Sequence, residues 1–233
     1  MNKAIIIIPA FNEESSIKGV IEALREEVPE FDILVIDDGS IDDTVRVAKG
    51  EGVKVLRQRF NLGIGATMQT GYKYAWRNGY DIAVQFDGDG QHPADQVLEL
   101  TGAITDGTAD VVVGSRFLGE GDYRPSISRG AGIAIFSKVV SFIIGEKVTD
   151  TTSGFRAANR DVIGFYCSNY PDDYPEVEAL VLLHKKGFRI SEIPVTMMER
   201  KGGVSSITPL RSAYYMVKVF LAIFVELLRR VEK

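Results

Sequence analysis

Two aspartates stand two positions apart directly after an apolar stretch of the chain. Asp87 and Asp89 follow residues 82–86, Ile-Ala-Val-Gln-Phe. If that stretch is a buried strand, both carboxylates leave its carboxyl end on the same side, about 7 Å apart from Cα to Cα. Two oxygens so placed can share one hard divalent cation. Gly88 and Gly90 would let a ligand approach the backbone closely, although Asp and Gly are also the ordinary residues of turns.

Polar residues also follow three earlier apolar stretches. The first ends in residues 9–13, Pro-Ala-Phe-Asn-Glu; a dinucleotide-binding domain would have Gly-x-Gly-x-x-Gly here, and no glycine precedes Gly19, which excludes that class. The second ends in residues 37–40, Asp-Asp-Gly-Ser. A carboxylate there can accept hydrogen bonds from a nucleobase or a ribose hydroxyl, with helix capping by Ser40 as an equal alternative. The third precedes residues 61–65, Asn-Leu-Gly-Ile-Gly, whose glycines can bring backbone N–H groups near an anion or a ribose.

Short apolar, β-branched stretches alternate with helix-period segments along the chain. Stretches without polar alternation are typical of strands buried on both faces. The helices between them indicate an α/β fold, with a mostly parallel central sheet and helices on both faces. Ligands of such sheets bind beyond the carboxyl ends of the strands. We expect strands at residues 4–9, 33–36, 53–56, 82–86, 111–113 and 189–195, and helices at residues 15–27, 42–50, 64–78 and 93–104.

The composition indicates one globular domain in a reducing compartment. The 233 residues are 45% hydrophobic and 25% charged, enough for one large core. A net charge of −5 offers no general attraction for nucleic acid. Residues 199–233 nevertheless carry seven Lys or Arg against three Glu, which suggests a membrane surface or a partner. The single cysteine, Cys167, fits a reducing environment. The apolar run before Pro9 is too short for a signal peptide, so we expect a cytoplasmic protein.

Taken in order, these polar segments resemble glycosyltransferase family 2, and within it the dolichyl- and undecaprenyl-phosphate sugar transferases. The likeness covers nearly the whole chain. Each motif is modest alone, but eight in a fixed order make chance a poor explanation. The motifs are residues 9–13, 37–40, 61–65, 87–92 (Asp-Gly-Asp-Gly-Gln-His), 114–116 (Gly-Ser-Arg), 150–156 (Asp-Thr-Thr-Ser-Gly-Phe-Arg), 192–195 (Glu-Ile-Pro-Val) and 200–206.

The resemblance implies a GT-A fold that binds a nucleotide-sugar donor across the strand ends. It also implies Mg²⁺ or Mn²⁺, because the donor's diphosphate would supply the oxygen ligands that two aspartates leave open. Asp89 is the stronger candidate for direct coordination, and His92 is either a turn residue or a ligand. The implied donor site has Pro9, Ala10, Asn12, Glu13 and Asp38 around the base, Asn61 and Gly63 at the nucleoside, Asp87, Gly88 and Asp89 at the metal pyrophosphate, Gln91 at a phosphate or sugar oxygen, and Arg200 in a loop over the diphosphate.

On the acceptor side, the resemblance implies that Arg116 and Arg129 receive the phosphate of a polyprenyl phosphate, whose oxygens a guanidinium matches bidentately. Asp150 lies where some relatives place a candidate base. A phosphate is largely ionised at neutral pH and hardly needs one, so Asp150 can instead orient Arg156 or the acceptor. Transfer to a glycan or protein hydroxyl is the alternative, with Asp150 or Glu178 as the base. A non-catalytic nucleotide-sugar-binding subunit is a third hypothesis, which the two aspartates disfavour.

We divide the chain into a GT-A domain, residues 1–203, and a C-terminal amphipathic helix within residues 204–233. Only seven residues lie between Lys218 and Glu226, against about 20 needed to cross a bilayer, so we expect no span there. The helix can lie in the headgroup region, dock a small membrane-protein partner or cover the core. We favour membrane or partner attachment, because the implied acceptor is a lipid. Many relatives carry spanning helices beyond this point, so we expect a separate membrane subunit or a homo-oligomer, at the inner face of the membrane.

Overall fold

The computed structural model describes residues 2–119, 127–172, 175–198, 218–219 and 221–225. Its strands are β1 (Ala4–Ala10), β2 (Asp32–Asp37), β3 (Lys54–Arg57), β4 (Ile82–Gln85), β5 (Val111–Ser115), β6 (Arg156–Asn159) and β7 (Ile190–Pro194). Its helices are α1 (Ile17–Glu27), α2 (Thr44–Gly50), α3 (Ile64–Arg77), α4 (Val97–Thr105), α5 (Ile127–Ile144), α6 (Arg160–Asn169) and α7 (Pro175–Lys186), with a 3-10 turn, Ala94–Gln96, before α4. Within the described ranges the strands form one sheet in the order β3-β2-β1-β4-β6-β5-β7.

The isoleucines of β1 show why the strands are apolar on both faces. Ile5 and Ile7 pack in one hydrophobic core together with Tyr72 of α3. Ile6 and Ile8 pack in a second core, to which α1 and α4 contribute. Successive side chains of a strand point to opposite faces, so a sheet covered by helices on both sides shows no polar alternation. The predicted α/β architecture is confirmed, and the four predicted helices are α1 to α4.

One strand runs against its neighbours. β6 pairs antiparallel with both β4 and β5, whereas the other neighbouring pairs of the described sheet are parallel. The sequence did not predict β6, because its residues, Arg-Ala-Ala-Asn, lack the β-branched side chains that mark the other strands. Arg156, at its start, pairs with Gln85 near the end of β4 and with Val113 of β5. The preceding loop, residues 150–155, therefore lies at the edge where β4 and β5 end.

The described part of the C-terminal segment, residues 218–219 and 221–225, is helical. Val219 and Ile223 are buried in the same core as α5 and α7, so this part of the segment packs against the core. Leu221, Phe224 and Val225 are each more than half exposed. Among the described residues, no helix has both the length and the apolar character needed to cross a membrane. The expected domain boundary after residue 203 lies outside the described residues and stays a prediction.

Candidate active site

An open cleft of about 350 Å³ lies beyond the carboxyl ends of β1, β2 and β4. This is where ligands of parallel α/β sheets bind. Its lining contains most of the predicted donor residues and three that the sequence analysis did not single out, Phe11, Ile64 and Thr67. The predicted residues that line it are Pro9, Ala10, Glu13, Asp38, Asn61, Gly63, Asp87, Gly88 and Asp89.

Asp38 holds one wall of the cleft in place. One of its carboxylate oxygens accepts a hydrogen bond from Leu62 N at 2.7 Å, and the other accepts from Gly63 N at 3.0 Å. Gly63 has φ +89°, a conformation that glycine adopts without strain, and α3 begins at the next residue. Asp38 thereby fixes the turn that carries Asn61 into the cleft lining. Each carboxylate oxygen has a second lone pair, so contact with a nucleoside is compatible with this support.

Asn12 joins two loops of the site and is not part of the cleft lining. Its backbone has φ +57°, a left-handed conformation in which Asn is enriched. Its backbone N donates to Ser40 Oγ at 2.9 Å, and its side-chain Oδ1 accepts from Ile41 N at 3.0 Å. Glu13 N donates to Thr44 Oγ1 at 2.8 Å. The loop after β1 is thus fastened to the loop after β2.

The carboxylates of Asp87 and Asp89 meet the cleft at the end of β4. A Cβ placed on Gly154 would lie 3.1 Å from both carboxylate oxygens of Asp87, so a larger residue there would push that carboxylate aside by a few tenths of an ångström. Asp89 Oδ1 accepts from Gln91 N at 3.0 Å, which closes the turn between them. These are hard oxygen donors of the kind that Mg²⁺ and Mn²⁺ prefer. Among the described residues, no group of three or more His, Cys, Asp or Glu is placed to hold a metal.

His92 lies behind Asp87 and not in the cleft. Its side chain is 5% exposed, packed edge-on against Phe86 and stacked on Phe155. Nδ1 accepts a hydrogen bond from Asp87 N at 3.2 Å, and Nε2 lies 3.3 Å from Asp87 Oδ2. Burial lowers the pKa of His92 to about 4, although the charge of Asp89 opposes this. The ring is therefore neutral near pH 7.

Gln91 connects the aspartate loop to the segment after β7. Gln91 O accepts from Met198 N at 2.9 Å, and its side-chain Nε2 donates to Met198 O at 3.5 Å. The next residues of that segment lead to Arg200, which lies outside the described residues. A phosphate or sugar contact by Gln91 therefore stays a prediction.

Arg116 and Asp150 form a buried pair at the end of β5. Arg116 Nε donates to Asp150 Oδ2 at 2.6 Å, and Nη2 donates to Oδ1 at 2.8 Å and to Thr152 Oγ1 at 2.7 Å. Arg116 N also donates to Asp150 Oδ2. Burial alone would raise the pKa of the Asp150 carboxyl, but the hydrogen bonds and charge of Arg116 hold that pKa below its ordinary value. Asp150 is thus ionised, and both of its oxygens are engaged.

From the sequence, Asp150 was expected to orient either Arg156 or the acceptor. In the structure its hydrogen bonds to an arginine side chain go to Arg116 and not to Arg156. Arg156 instead donates from Nε to Ser153 O at 2.8 Å and from Nη2 to Thr151 O at 3.2 Å. These bonds tie the side chain of Arg156 to the backbone of the loop before β6.

Glu192 of β7 supports the same loop, a role that the sequence analysis missed. Its carboxylate accepts from Thr149 N at 2.8 Å, from Thr149 Oγ1 at 2.9 Å and from Asp150 N at 2.9 Å. Three donors on one carboxylate fix the backbone that carries Asp150. In the sequence, Glu192 stood out only as part of the motif at residues 192–195. That motif did not indicate that Glu192 would bind the backbone of residues 149 and 150.

The two remaining predicted acceptor residues, Arg129 and Glu178, lie on two helices. Arg129 falls in the first turn of α5, and its side chain lies outside what the structure describes. Glu176 and Glu178 are in the first turn of α7. Burial raises the pKa of the Glu176 carboxyl, and the positive charge of Arg156 opposes this. The negative charge of Asp87 also acts to raise the pKa of Glu176.

Comparison with known proteins agrees with this geometry. Residues 5–165 match the family model for glycosyl transferase family 2. The chain is 32% identical over 220 residues to the undecaprenyl-phosphate mannosyltransferase of Micrococcus luteus, covering 88% of each chain. It is 30% identical over 210 residues to the UDP-N-acetylglucosamine--dolichyl-phosphate N-acetylglucosaminyltransferase of Methanococcus voltae, covering 82% of this chain and 83% of the relative.

A solved structure shows the same fold. Glucosyl-3-phosphoglycerate synthase from Mycobacterium tuberculosis, crystallised with Mn²⁺, UDP and phosphoglyceric acid, superposes with a TM-score of 0.73 at 21% identity, over 95% of this chain and 78% of that one. The cleft, the sheet and the matched residues lead to one assignment. The chain belongs to glycosyl transferase family 2 and is a glycosyltransferase with a GT-A fold.

Proposed function

We propose that this enzyme moves a sugar from a nucleoside diphosphate sugar to a polyprenyl phosphate, with inversion at the anomeric carbon and with a divalent cation. The observation that carries the proposal is the placement of Asp87 and Asp89 in the cleft at the end of β4, with Arg116 at the end of β5. Both strands flank β6, so their ends lie roughly 10 Å apart. The names of the two relatives, one for undecaprenyl phosphate and one for dolichyl phosphate, support this acceptor class.

On the donor side, different residues of the cleft bind different parts of the nucleotide. The wall formed by Pro9, Ala10 and Asp38 holds the base, and the turn at Asn61 lines the nucleoside. Asp87 and Asp89 hold Mg²⁺ or Mn²⁺ together with the diphosphate. When bound, the cation stabilises the departing nucleoside diphosphate. We favour a UDP-sugar, because one relative is named for UDP-N-acetylglucosamine, and GDP-mannose is the alternative.

On the acceptor side, the state of Asp150 makes it a poor general base for a hydroxyl acceptor. A hydroxyl needs a general base to remove its proton, and Asp150 is fully committed to Arg116. A phosphate monoester, with a second pKa near 6, is already largely ionised at neutral pH. Arg116 is held in a fixed position by Asp150 and Thr152, from which it would align the acceptor phosphate.

We further propose that the enzyme acts at the cytoplasmic face of a membrane. Leu221, Phe224 and Val225 expose apolar surface next to helical residues that are anchored in the core. Such surface suits the boundary of a lipid layer or a membrane-protein partner. The acceptor class requires access to that boundary.

The test is transfer of radiolabel from UDP-glucose, UDP-N-acetylglucosamine or GDP-mannose in membranes that contain polyprenyl phosphate, with and without EDTA. We expect label to enter the organic phase from one donor and EDTA to abolish this. Asp89→Asn should lose activity, whereas Asp95→Asn, an exposed aspartate six positions on, should retain it. Label that enters only water-soluble glycan or protein would refute the acceptor, and full activity in EDTA would refute the cation.

A further inference from the structure

Both ring nitrogens of His92 contact the same residue. Nδ1 lies 3.2 Å from the backbone N of Asp87, and Nε2 lies 3.3 Å from the Oδ2 atom of the Asp87 carboxylate. Five positions separate the two residues, so the loop folds back on its own first aspartate. A ring that only filled space between Phe86 and Phe155 would not need both contacts.

The backbone contact determines which nitrogen carries the proton. Asp87 N–H is a donor and has no lone pair to offer, so Nδ1 must be the acceptor nitrogen of the ring. A neutral imidazole has one donor and one acceptor nitrogen, and its proton therefore sits on Nε2. That is the nitrogen next to the Asp87 carboxylate.

The surroundings keep the ring in this position. Phe155 stacks on it with ring centroids 5.0 Å apart, and Phe86 meets it edge-on at 5.3 Å. A ring so enclosed cannot turn without displacing one of its aromatic neighbours. Gly154 leaves space for the Asp87 carboxylate, as its missing Cβ would lie 3.1 Å from both oxygens. The carboxylate thus has the ring of His92 on one side and the space left by Gly154 on another.

We propose that His92 is a positioning residue that sets the orientation of the Asp87 carboxylate through an Nε2–H tautomer fixed by the Asp87 backbone. This rests on the proposed function, in which Asp87 helps to bind a divalent cation and a nucleoside diphosphate. Residues that orient a metal-binding side chain typically contribute 10-fold to 100-fold in metal affinity. His92 itself touches neither substrate nor metal.

Two substitutions separate this role from a structural one. In His92→Gln, the amide nitrogen reaches the position of Nε2 and can donate to the Asp87 carboxylate. In His92→Asn, the shorter side chain reaches only the position of Nδ1 and can accept from Asp87 N–H. Positioning predicts that Gln preserves binding better than Asn, whereas a role limited to the backbone contact predicts the reverse.

The measurement is Mn²⁺ affinity in the presence of UDP, from the electron paramagnetic resonance of free Mn²⁺, with thermal unfolding of each ligand-free variant alongside. We expect His92→Asn to bind about 10-fold or more weakly and His92→Gln to stay within about 3-fold of the wild type. His184, the other histidine of the chain, lies in α7, and its Asn and Gln variants should bind like the wild type. Equal binding by both His92 variants would overturn the inference. Absence of saturable Mn²⁺ binding by the wild type would instead refute the proposed function.

A second measurement needs no His92 variant and no ligand. Two-bond ¹H–¹⁵N correlation of the wild type distinguishes the tautomers of each histidine, and His184→Gln assigns the two sets of peaks. We expect His92 to show an unprotonated Nδ1 and a protonated Nε2. A proton on Nδ1 would overturn the inference whatever the binding results.

Discussion

Two arginine–aspartate pairs in this protein have the same hydrogen-bond geometry but different burial. Arg116 donates to Asp150 from its backbone N, Nε and Nη2, at 3.1, 2.6 and 2.8 Å. Arg189 donates to Asp110 from the same three groups, at 2.8, 3.1 and 2.8 Å. The side chain of Arg116 is 5% exposed, whereas that of Arg189 is 56% exposed. The protein therefore contains its own control for the effect of burial on a charge pair.

Replacing Asp150 by Asn keeps the shape of the side chain but leaves a buried guanidinium without its counter-charge. Breaking a buried pair in this way costs about 3 to 5 kcal/mol of unfolding free energy. For a chain of this length each kcal/mol shifts Tm by about 2 to 4 °C, so Asp150→Asn should lower Tm by roughly 6 to 20 °C at pH 7. In Asp110→Asn, water can hydrate the arginine that is left, and the fall should be clearly smaller. Calorimetry of both variants tests this, and equal falls would refute the role of burial.

The pH dependence of the same variant has a defined sign. The folded pKa of Asp150 lies below its ordinary value, so its contribution to stability is present above the unfolded pKa and is lost as the pH falls through the folded one. The stability difference between the wild type and Asp150→Asn should be constant from about pH 5 to 8 and should shrink below about pH 4. A difference that grows on acidification would contradict the pairing.

Two further substitutions test the donor cleft. In Gly154→Ala, a methyl group 3.1 Å from both Asp87 oxygens must displace that carboxylate by a few tenths of an ångström, which should weaken Mn²⁺ binding with UDP by about 3-fold to 10-fold. Gly102→Ala, where a methyl group meets nothing within 4 Å, should bind normally; equal affinities would refute the steric argument. In the wild type, the two carboxylate oxygens of Asp38 accept from the backbone N–H groups of residues 62 and 63. In Asp38→Asn, the side-chain NH₂ group replaces one of these oxygens, so two donors face each other. We expect the donor KM to rise severalfold and unfolding free energy to fall by about 1 to 3 kcal/mol, and an unchanged KM would show that this turn is not part of the donor site.

The sheet and the position of the cleft could be predicted because they depend on local patterns. Four isoleucines at residues 5–8 indicate a strand covered on both faces, and Asp87 with Asp89 directly after an apolar stretch indicate polar groups at its carboxyl end. Parallel strands bring such ends to one edge of the sheet. Local sequence was therefore enough to find most of the cleft lining.

The support of the site could not be predicted, because it depends on contacts between distant positions. Asp38 binds residues 62–63, Arg116 binds Asp150, and Glu192 binds the backbone of Asp150. No periodicity in one sequence links positions 24 to 42 residues apart. β6 was not predicted for a related reason. A short central strand with two alanines is stabilised by the strands beside it and not by the β-propensity of its own residues. The motif containing Gly154 was recognised, but the need for glycine there became clear only from the nearby Asp87 carboxylate.

The run of isoleucines in β1 has a consequence for strand alignment. A strand whose two faces carry the same side chain can slide by one residue and still present Ile to both cores, so hydrophobicity alone does not fix its register. Polar bonds at the two ends must do so: Asp38 N donates to Ala10 O at 2.8 Å, and Lys3 N donates to Asp81 Oδ2 at 2.8 Å. One of these two bonds, from Asp38 N to Ala10 O, joins two residues that line the cleft. The loops that line the cleft therefore also help to keep the central strand in register.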